Sequence, residues 1–124
     1  MFENPEELGF LNGVLHPMIF DEIEHRKKIA EKNHCRTAVL DAPLLYECGW
    51  EHTAVCVVAV WAPQPVQYQR LLERGWDPEH IQNRLNAQMS ADEKMKRADY
   101  ALINSGSKEW LRQQITAFAR HIED

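Results

Sequence analysis

No run in this 124-residue chain approaches the ~20 consecutive apolar residues that a membrane-spanning helix requires, so no membrane role is expected. The opening Met1-Phe2-Glu3-Asn4-Pro5 has none of the basic start of a secretory signal. Cysteine is scarce and odd in number. Cys35, Cys48 and Cys56 include no Cys-x-x-Cys pair and read as reduced thiols of a cytoplasmic protein. The six histidines show no metal-ligand spacing, and His34 beside Cys35 is sterically poor, so no metal site is expected. There is no Gly-x-Ser-x-Gly elbow and no convincing Cys/His nucleophile. Excess positive charge is missing too. A net charge of −5 argues against broad binding to a nucleic-acid backbone but leaves room for a small anionic ligand, which responds to local charge. Only five Gly and six Pro stand beside 44% hydrophobic residues, which excludes collagen-like, low-complexity and disordered chains. What is present suits one soluble domain, with about two-thirds of its unfolded surface available to bury.

The pattern alternates helix and strand. Asn4 and Pro5 start a helix that Gly13 closes; after His16-Pro17 a second helix is expected from about Pro17 to Lys32, with Ile19, Ile23 and Ala30 on one side. Thr37 to Asp41 reads as a short buried strand, and Ala54 to Trp61 as a strand apolar on both faces, as in a parallel sheet. Helices follow from Pro63 or Pro65 to Arg74, from Pro78 to about Met89, and from the capping box Ser90-Ala91-Asp92-Glu93. Tyr100 to Ile103 is a third strand. Ser107 then caps a helix whose Leu111, Ile115, Phe118 and Ile122 share an arc of about 60°. The fold class is α/β with a mainly parallel sheet. Two helices at the front have no preceding strand to cover, so the chain reads as beginning in the middle of a doubly wound domain.

Several residues are placed to do chemistry. Gln67, Arg70 and Arg74 project within about 60° of one another on one helix. Arg84 lies on the next, one turn before Gln88. The spacing fits a guanidinium hairpin that wraps a polyphosphate, and fits equally a solvated face with pairs among Glu73, Glu79 and Arg84. Asp41, at a strand end, suits either a metal-bound water or plain solvation. Leu44 and Leu45 fit core packing or a pocket lining. His16 fits a hydrogen-bonded structural role or a binding role. Asn104-Ser105-Gly106 is a turn signal that also puts an amide at the ligand edge of the sheet, where it could read a base.

In order along the chain, these segments resemble the dephospho-CoA kinase family. The resemblance rests on Phe2-Glu3-Asn4-Pro5-Glu6 with Leu11-Asn12, on Leu15-His16-Pro17, and on Asp41-Ala42-Pro43-Leu44-Leu45-Tyr46-Glu47. It continues through Gln67-Tyr68-Gln69-Arg70 with Arg74, Arg84 to Gln88-Met89-Ser90, and Arg97-Ala98-Asp99-Tyr100 through Asn104-Ser105-Gly106-Ser107. It implies a P-loop-kinase-like parallel sheet with a helical lid, and transfer of the γ-phosphoryl group of ATP to the ribose 3′-hydroxyl of dephospho-CoA with Mg²⁺. Residues 1–124 then form one incomplete kinase domain, with residues 1–36 as a helical acceptor-side segment and residues 63–98 as the lid. Arg70 and Arg74 take the place of catalytic lid arginines, Arg84 and Asn104 lie on the ATP side, and His16, Leu44, Leu45 and Glu47 lie on the dephospho-CoA side. Gly75-Trp76 departs from the family, which often has an acidic residue there. The family's amino-terminal strand, its Gly-x-x-x-x-Gly-Lys-Ser/Thr loop and its catalytic Asp have no counterpart, because the five glycines are scattered and none precedes Lys-Ser or Lys-Thr. Met1 then reads as an internal methionine of a truncated frame. The expectation is a chain inactive alone that associates through its exposed sheet; the competing reading is a non-catalytic, CoA-binding or self-associating module.

Overall fold

The computed structural model describes residues 4–123; Phe2 and Glu3, which open the first motif above, lie outside them. The chain divides into two units, residues 1–43 and 44–124.

The first unit is built on one long helix, α1 (Pro5–Lys32). Its start is the expected one. The Asn4 side chain accepts a hydrogen bond from the Glu6 N–H at 3.0 Å, Pro5 occupies the first turn, and Glu6 and Glu7 face the positive helix end. The break expected at Gly13 and His16-Pro17 does not occur: the helix runs through both. An interior proline costs about 3 kcal/mol, mainly by a lost hydrogen bond and a clash with the carbonyl four residues back. Here that residue is Gly13, around which a Cβ would find nothing within 4 Å, so the backbone has room to yield. None of the α1 side chains is buried, and Phe10 is 77% exposed. Beyond α1, Thr37 to Asp41 forms no strand, and Val39 is 90% exposed. A strand exists only when a neighbour takes up its N–H and C=O groups, and among the described residues none does so here. Asp41 is therefore an exposed residue on irregular chain rather than the end of a strand.

The second unit carries the sheet. β1 (Val58–Trp61) and β2 (Tyr100–Ile103) pair in parallel, with Val58 opposite Tyr100 and Trp61 opposite Ile103. β1 is shorter than the apolar run from Ala54 because the preceding chain is otherwise engaged. A 3₁₀ turn occupies Glu51–Thr53, and Asp99 brackets Val57, its carboxylate accepting the Val57 N–H at 2.8 Å while its own N–H bonds the Val57 carbonyl at 2.9 Å. Nor is β1 buried on both faces: Ala59 is buried and Val60 is 60% exposed.

Between the strands lie α2 (Gln64–Glu73), α3 (Pro78–Ala87) and α4 (Ala91–Arg97); α5 (Lys108–Glu123) follows β2. α4 packs on β1, α5 on β2, and α2 on α3. The buried hydrophobic set among the described residues is small: Tyr46, Ala59, Ala62 and Ile81. The outer edge of β2 is closed by a side chain. The Gln114 carboxamide accepts the Ile103 N–H at 2.8 Å and donates to the Ile103 carbonyl at 2.9 Å, as a neighbouring strand would.

Candidate functional site

The turn between α2 and α3 is determined locally. Gly75 has φ +80°, in the left-handed region that favours glycine. Its N–H bonds the Leu72 carbonyl at 2.8 Å, and the Trp76 N–H bonds the Leu71 carbonyl at 3.2 Å. These two bonds make a Schellman motif, which terminates α2 at Arg74. Asp77 then caps α3, accepting the His80 N–H at 3.0 Å, with Pro78 in the first turn. Gly75-Trp76 is thus the turn itself. Ile81, fully buried, locks α3 in place.

On this hairpin the three arginines have different surroundings. Arg70 is half-buried and donates from Nη1 to the Asn104 backbone carbonyl at 2.6 Å. Asn104 lies just past β2, and its N–H bonds the Trp61 carbonyl at 2.7 Å. Arg70 and Asn104 therefore meet at the carboxyl ends of both parallel strands, where open α/β sheets hold ligands. Arg74, the C-cap of α2, is exposed and has no ion pair among the described residues. Arg84 is exposed and lies over the Trp76 ring, 5.5 Å from its centroid, while His80 approaches the same ring at 5.0 Å. Among the described residues the pairs of a merely solvated face, Arg84 with Glu79 among them, are not formed, and neither Arg74 nor Arg84 is neutralised by a carboxylate.

Glu47 meets the far end of α3. Its Oε1 accepts the Met89 N–H at 2.8 Å and pairs with the Lys94 ammonium at 3.1 Å. Burial pushes this carboxyl up from its usual 4.5, but the N–H groups of Glu47 and Met89 and the Lys94 ammonium outweigh it and hold the group below that value. A carboxylate depressed on folding stabilises the native state above its unfolded value, and that contribution is lost as pH falls through the folded value. Urea midpoints measured from about pH 6 down to about pH 3 are expected to fall more steeply for the parent chain than for Glu47→Gln; parallel profiles would refute the role of the contact.

Leu44 and Leu45 are half-buried in the turn before Glu47, where their carbonyls accept from Cys48 and Trp50 at 3.0 and 2.9 Å. His16 is half-buried on α1, in the other unit. Lys94 and Arg97 each have a carboxylate partner. Arg97 pairs with Glu51 at 2.7 Å, and its guanidinium covers the Tyr46 ring at 4.3 Å. Those partners lie more than forty positions away along the chain, so no local spacing marks them. Trp76 was noticed only as a departure, and its place beneath Arg84 depends on the turn. Burial pushes the Cys48 and Cys56 thiols up, aided at Cys56 by Asp99, which keeps both protonated and poorly nucleophilic. Among the described residues no three His, Cys, Asp or Glu side chains converge on a preformed metal site, and Mg²⁺ in nucleotide sites is held largely by phosphate oxygens and water with one or two carboxylates.

Comparison with known proteins gives this geometry a family. The family profile described as dephospho-CoA kinase matches residues 1–109. A dephospho-CoA kinase of Bacillus licheniformis is 41% identical over 108 residues, covering 86% of this chain and 54% of the relative. One from Geobacillus kaustophilus is 36% identical over 121 residues, covering 97% and 60%. Among solved structures, TT1252 from Thermus thermophilus superposes with a TM-score of 0.69 at 32% identity, covering 97% of this chain and 62% of that one. Dephospho-CoA kinase from Campylobacter jejuni gives 0.67 at 27%, covering 98% and 60%. The chain thus spans little more than half the length of the curated relatives it matches. A profile match over most of its residues, with motifs in order and a parallel sheet flanked by the arginine hairpin, shows that this chain belongs to the dephospho-CoA kinase family.

Proposed function

We propose that these 124 residues supply the acceptor side, the lid and the adenine side of an enzyme that phosphorylates the ribose 3′-hydroxyl of dephospho-CoA with ATP. The observation that carries this reading is the hairpin: Arg70 is anchored to Asn104 at the carboxyl ends of the strands, while Arg74 and Arg84 keep charge free for an anion. Phosphoryl transfer is mostly positioning and electrostatics, and guanidinium groups offer planar forks of donors to phosphate oxygens. Arg70 and Arg74 neutralise the transferring group, Arg84 and Asn104 serve ATP, and His16, Leu44 and Leu45 line the acceptor side. Glu47 acts there by positioning, since its carboxylate already holds Met89 and Lys94. On this reading residues 1–36 are the acceptor-side segment, residues 63–98 the lid, and the protein works on free small molecules in the cytoplasm. No described helix is long and apolar enough to cross a membrane.

These residues contain no Gly-x-x-x-x-Gly-Lys-Ser/Thr run to cradle the β- and γ-phosphates with backbone N–H groups. The 124-residue chain alone is therefore expected to give no phosphorylated dephospho-CoA above an enzyme-free control. A fusion that places the unmatched part of the Bacillus licheniformis relative ahead of residue 1 is expected to turn over. Arg74→Ala in that fusion should lower the rate about 10²–10³-fold, as for lost transition-state charge stabilisation. Turnover by the chain alone, or a fusion indifferent to Arg74, would overturn the reading.

A second reading is favoured by one observation. Among the described residues β1 has a single strand neighbour, and Val60 on it is largely exposed. A non-catalytic module that self-associates through this edge would show sedimentation coefficients rising with concentration, whereas a monomer at all concentrations removes it.

A further inference from the structure

Lys94 and Arg97, one turn apart on α4, both reach back to residues 46–51. The Lys94 ammonium meets Glu47 at 3.1 Å, and the two side chains are only 21% and 22% exposed, so solvent screens this pair less than a surface one. Arg97 makes three contacts. Its Nη2 donates to Glu51 at 2.7 Å, its Nη1 lies 3.8 Å from the Met89 sulfur, and its guanidinium covers the Tyr46 ring at 4.3 Å. Tyr46 is buried, yet its hydroxyl makes no hydrogen bond among the described residues, so the ring face carries its contact with Arg97. Within the turn, the carbonyls of Leu44, Leu45 and Tyr46 accept the N–H groups of Cys48, Trp50 and Gly49. The backbone closes the turn on itself, and the side chains of Tyr46, Glu47 and Glu51 tie it to α4.

We propose that Lys94 and Arg97 are positioning residues: together they clasp residues 44–51 against α4 and so hold Leu44 and Leu45 in place. A single ion pair is a pivot about which a turn can swing, whereas two, one helical turn apart, also fix its direction. Arginine at position 97 supplies what lysine could not, because a planar guanidinium can lie on a ring while its edge donates to a carboxylate. α4 in turn packs on β1, so the turn takes its place from the sheet. Both cations act through other residues, their charge being spent on Glu47 and Glu51. The clasp is a matter of this chain's own contacts; that Leu44 and Leu45 meet the acceptor rests on the proposed function.

The test is amide hydrogen exchange of the 124-residue chain, followed residue by residue by NMR. Arg97→Met is expected to speed exchange of the Cys48, Gly49 and Trp50 N–H groups about five- to ten-fold, and Lys94→Met to act in the same direction. The N–H groups of Trp76 and Asn104, bonded to the Leu71 and Trp61 carbonyls, should keep the parent rates. Glu51→Gln breaks the same pair from the turn's side and should add nothing once Arg97 is replaced. Tyr46→Phe keeps the ring and should leave the turn unchanged. All amides speeding up together, or turn amides unmoved by these replacements of Lys94, Arg97 and Glu51, overturns the clasp. In the fusion described above, Arg97→Met should lower kcat/KM for dephospho-CoA about three- to ten-fold and leave the KM for ATP unchanged. Equal losses for both substrates would mean support of the fold alone and overturn the positioning role. A fusion without turnover overturns the proposed function, and the exchange rates then decide the clasp by themselves.

Discussion

Ile81→Ala is expected to lower the unfolding free energy by about 2–5 kcal/mol, whereas Ile81→Val should cost only about 0.5–1.5 kcal/mol. Ile81 is the one large side chain fully buried among the described residues. It sits one turn into α3, where its N–H bonds the Asp77 carbonyl at 3.0 Å. Truncation removes the transfer free energy of the lost carbons and leaves a cavity that a short helix against a short helix cannot fully close. Against the ~5–15 kcal/mol typical of a whole domain, such a loss is large. Urea unfolding of the two variants decides it: equal midpoints would mean that the hairpin is not held by this residue.

Gln114→Ala is the second expected large effect, about 1–3 kcal/mol, with a change of solution behaviour as well. The side chain satisfies both backbone groups of Ile103 at the edge of β2. Removing it leaves a half-buried donor and acceptor to be rehydrated. It also exposes a strand edge that can pair with another chain. The neighbouring Gln113→Ala, on an exposed position with no such bond, should stay within about 0.5 kcal/mol of the parent. Light scattering of Gln114→Ala during heating should rise earlier than for Gln113→Ala. Coincident scattering and unfolding curves for the two would refute the edge-closing role.

Local signals were read reliably where local physics decides. Asn4 and Ser90 each cap the helix they are expected to start, because a short side-chain acceptor meets N–H groups two or three residues on; Asp77 caps α3 in the same way without having been singled out. Tyr100 to Ile103 is a strand and α5 is a helix, but its apolar stripe is only half covered: Leu111 and Phe118 are half-buried, whereas Ile115 and Ile122 are exposed. Two of the segments that differ from expectation do so for opposite reasons. Pro17 does not end α1, since one lost hydrogen bond is tolerable within a 28-residue helix whose yielding residue is glycine. Thr37 to Asp41 forms no strand, since apolar composition cannot create the neighbouring strand that a ladder requires. The candidate site was legible in part. Arg70 and Asn104, thirty-four positions apart, do come together, whereas the Glu47 bond to Met89 and its pairing with Lys94 had no signature in spacing.

By itself, the order of residues determined the family, the helix starts, the α/β alternation and the arginine-bearing hairpin, all of which depend on contacts within a few positions or on motifs read in series. Only the tertiary structure decided which cations are spent on carboxylates and which remain for a ligand, where Trp76 lies, and that Lys94 and Arg97 meet one distant segment. Those outcomes turn on distances between residues far apart in the chain, and a distance of that kind exists only once the strands have paired and the helices have packed on them.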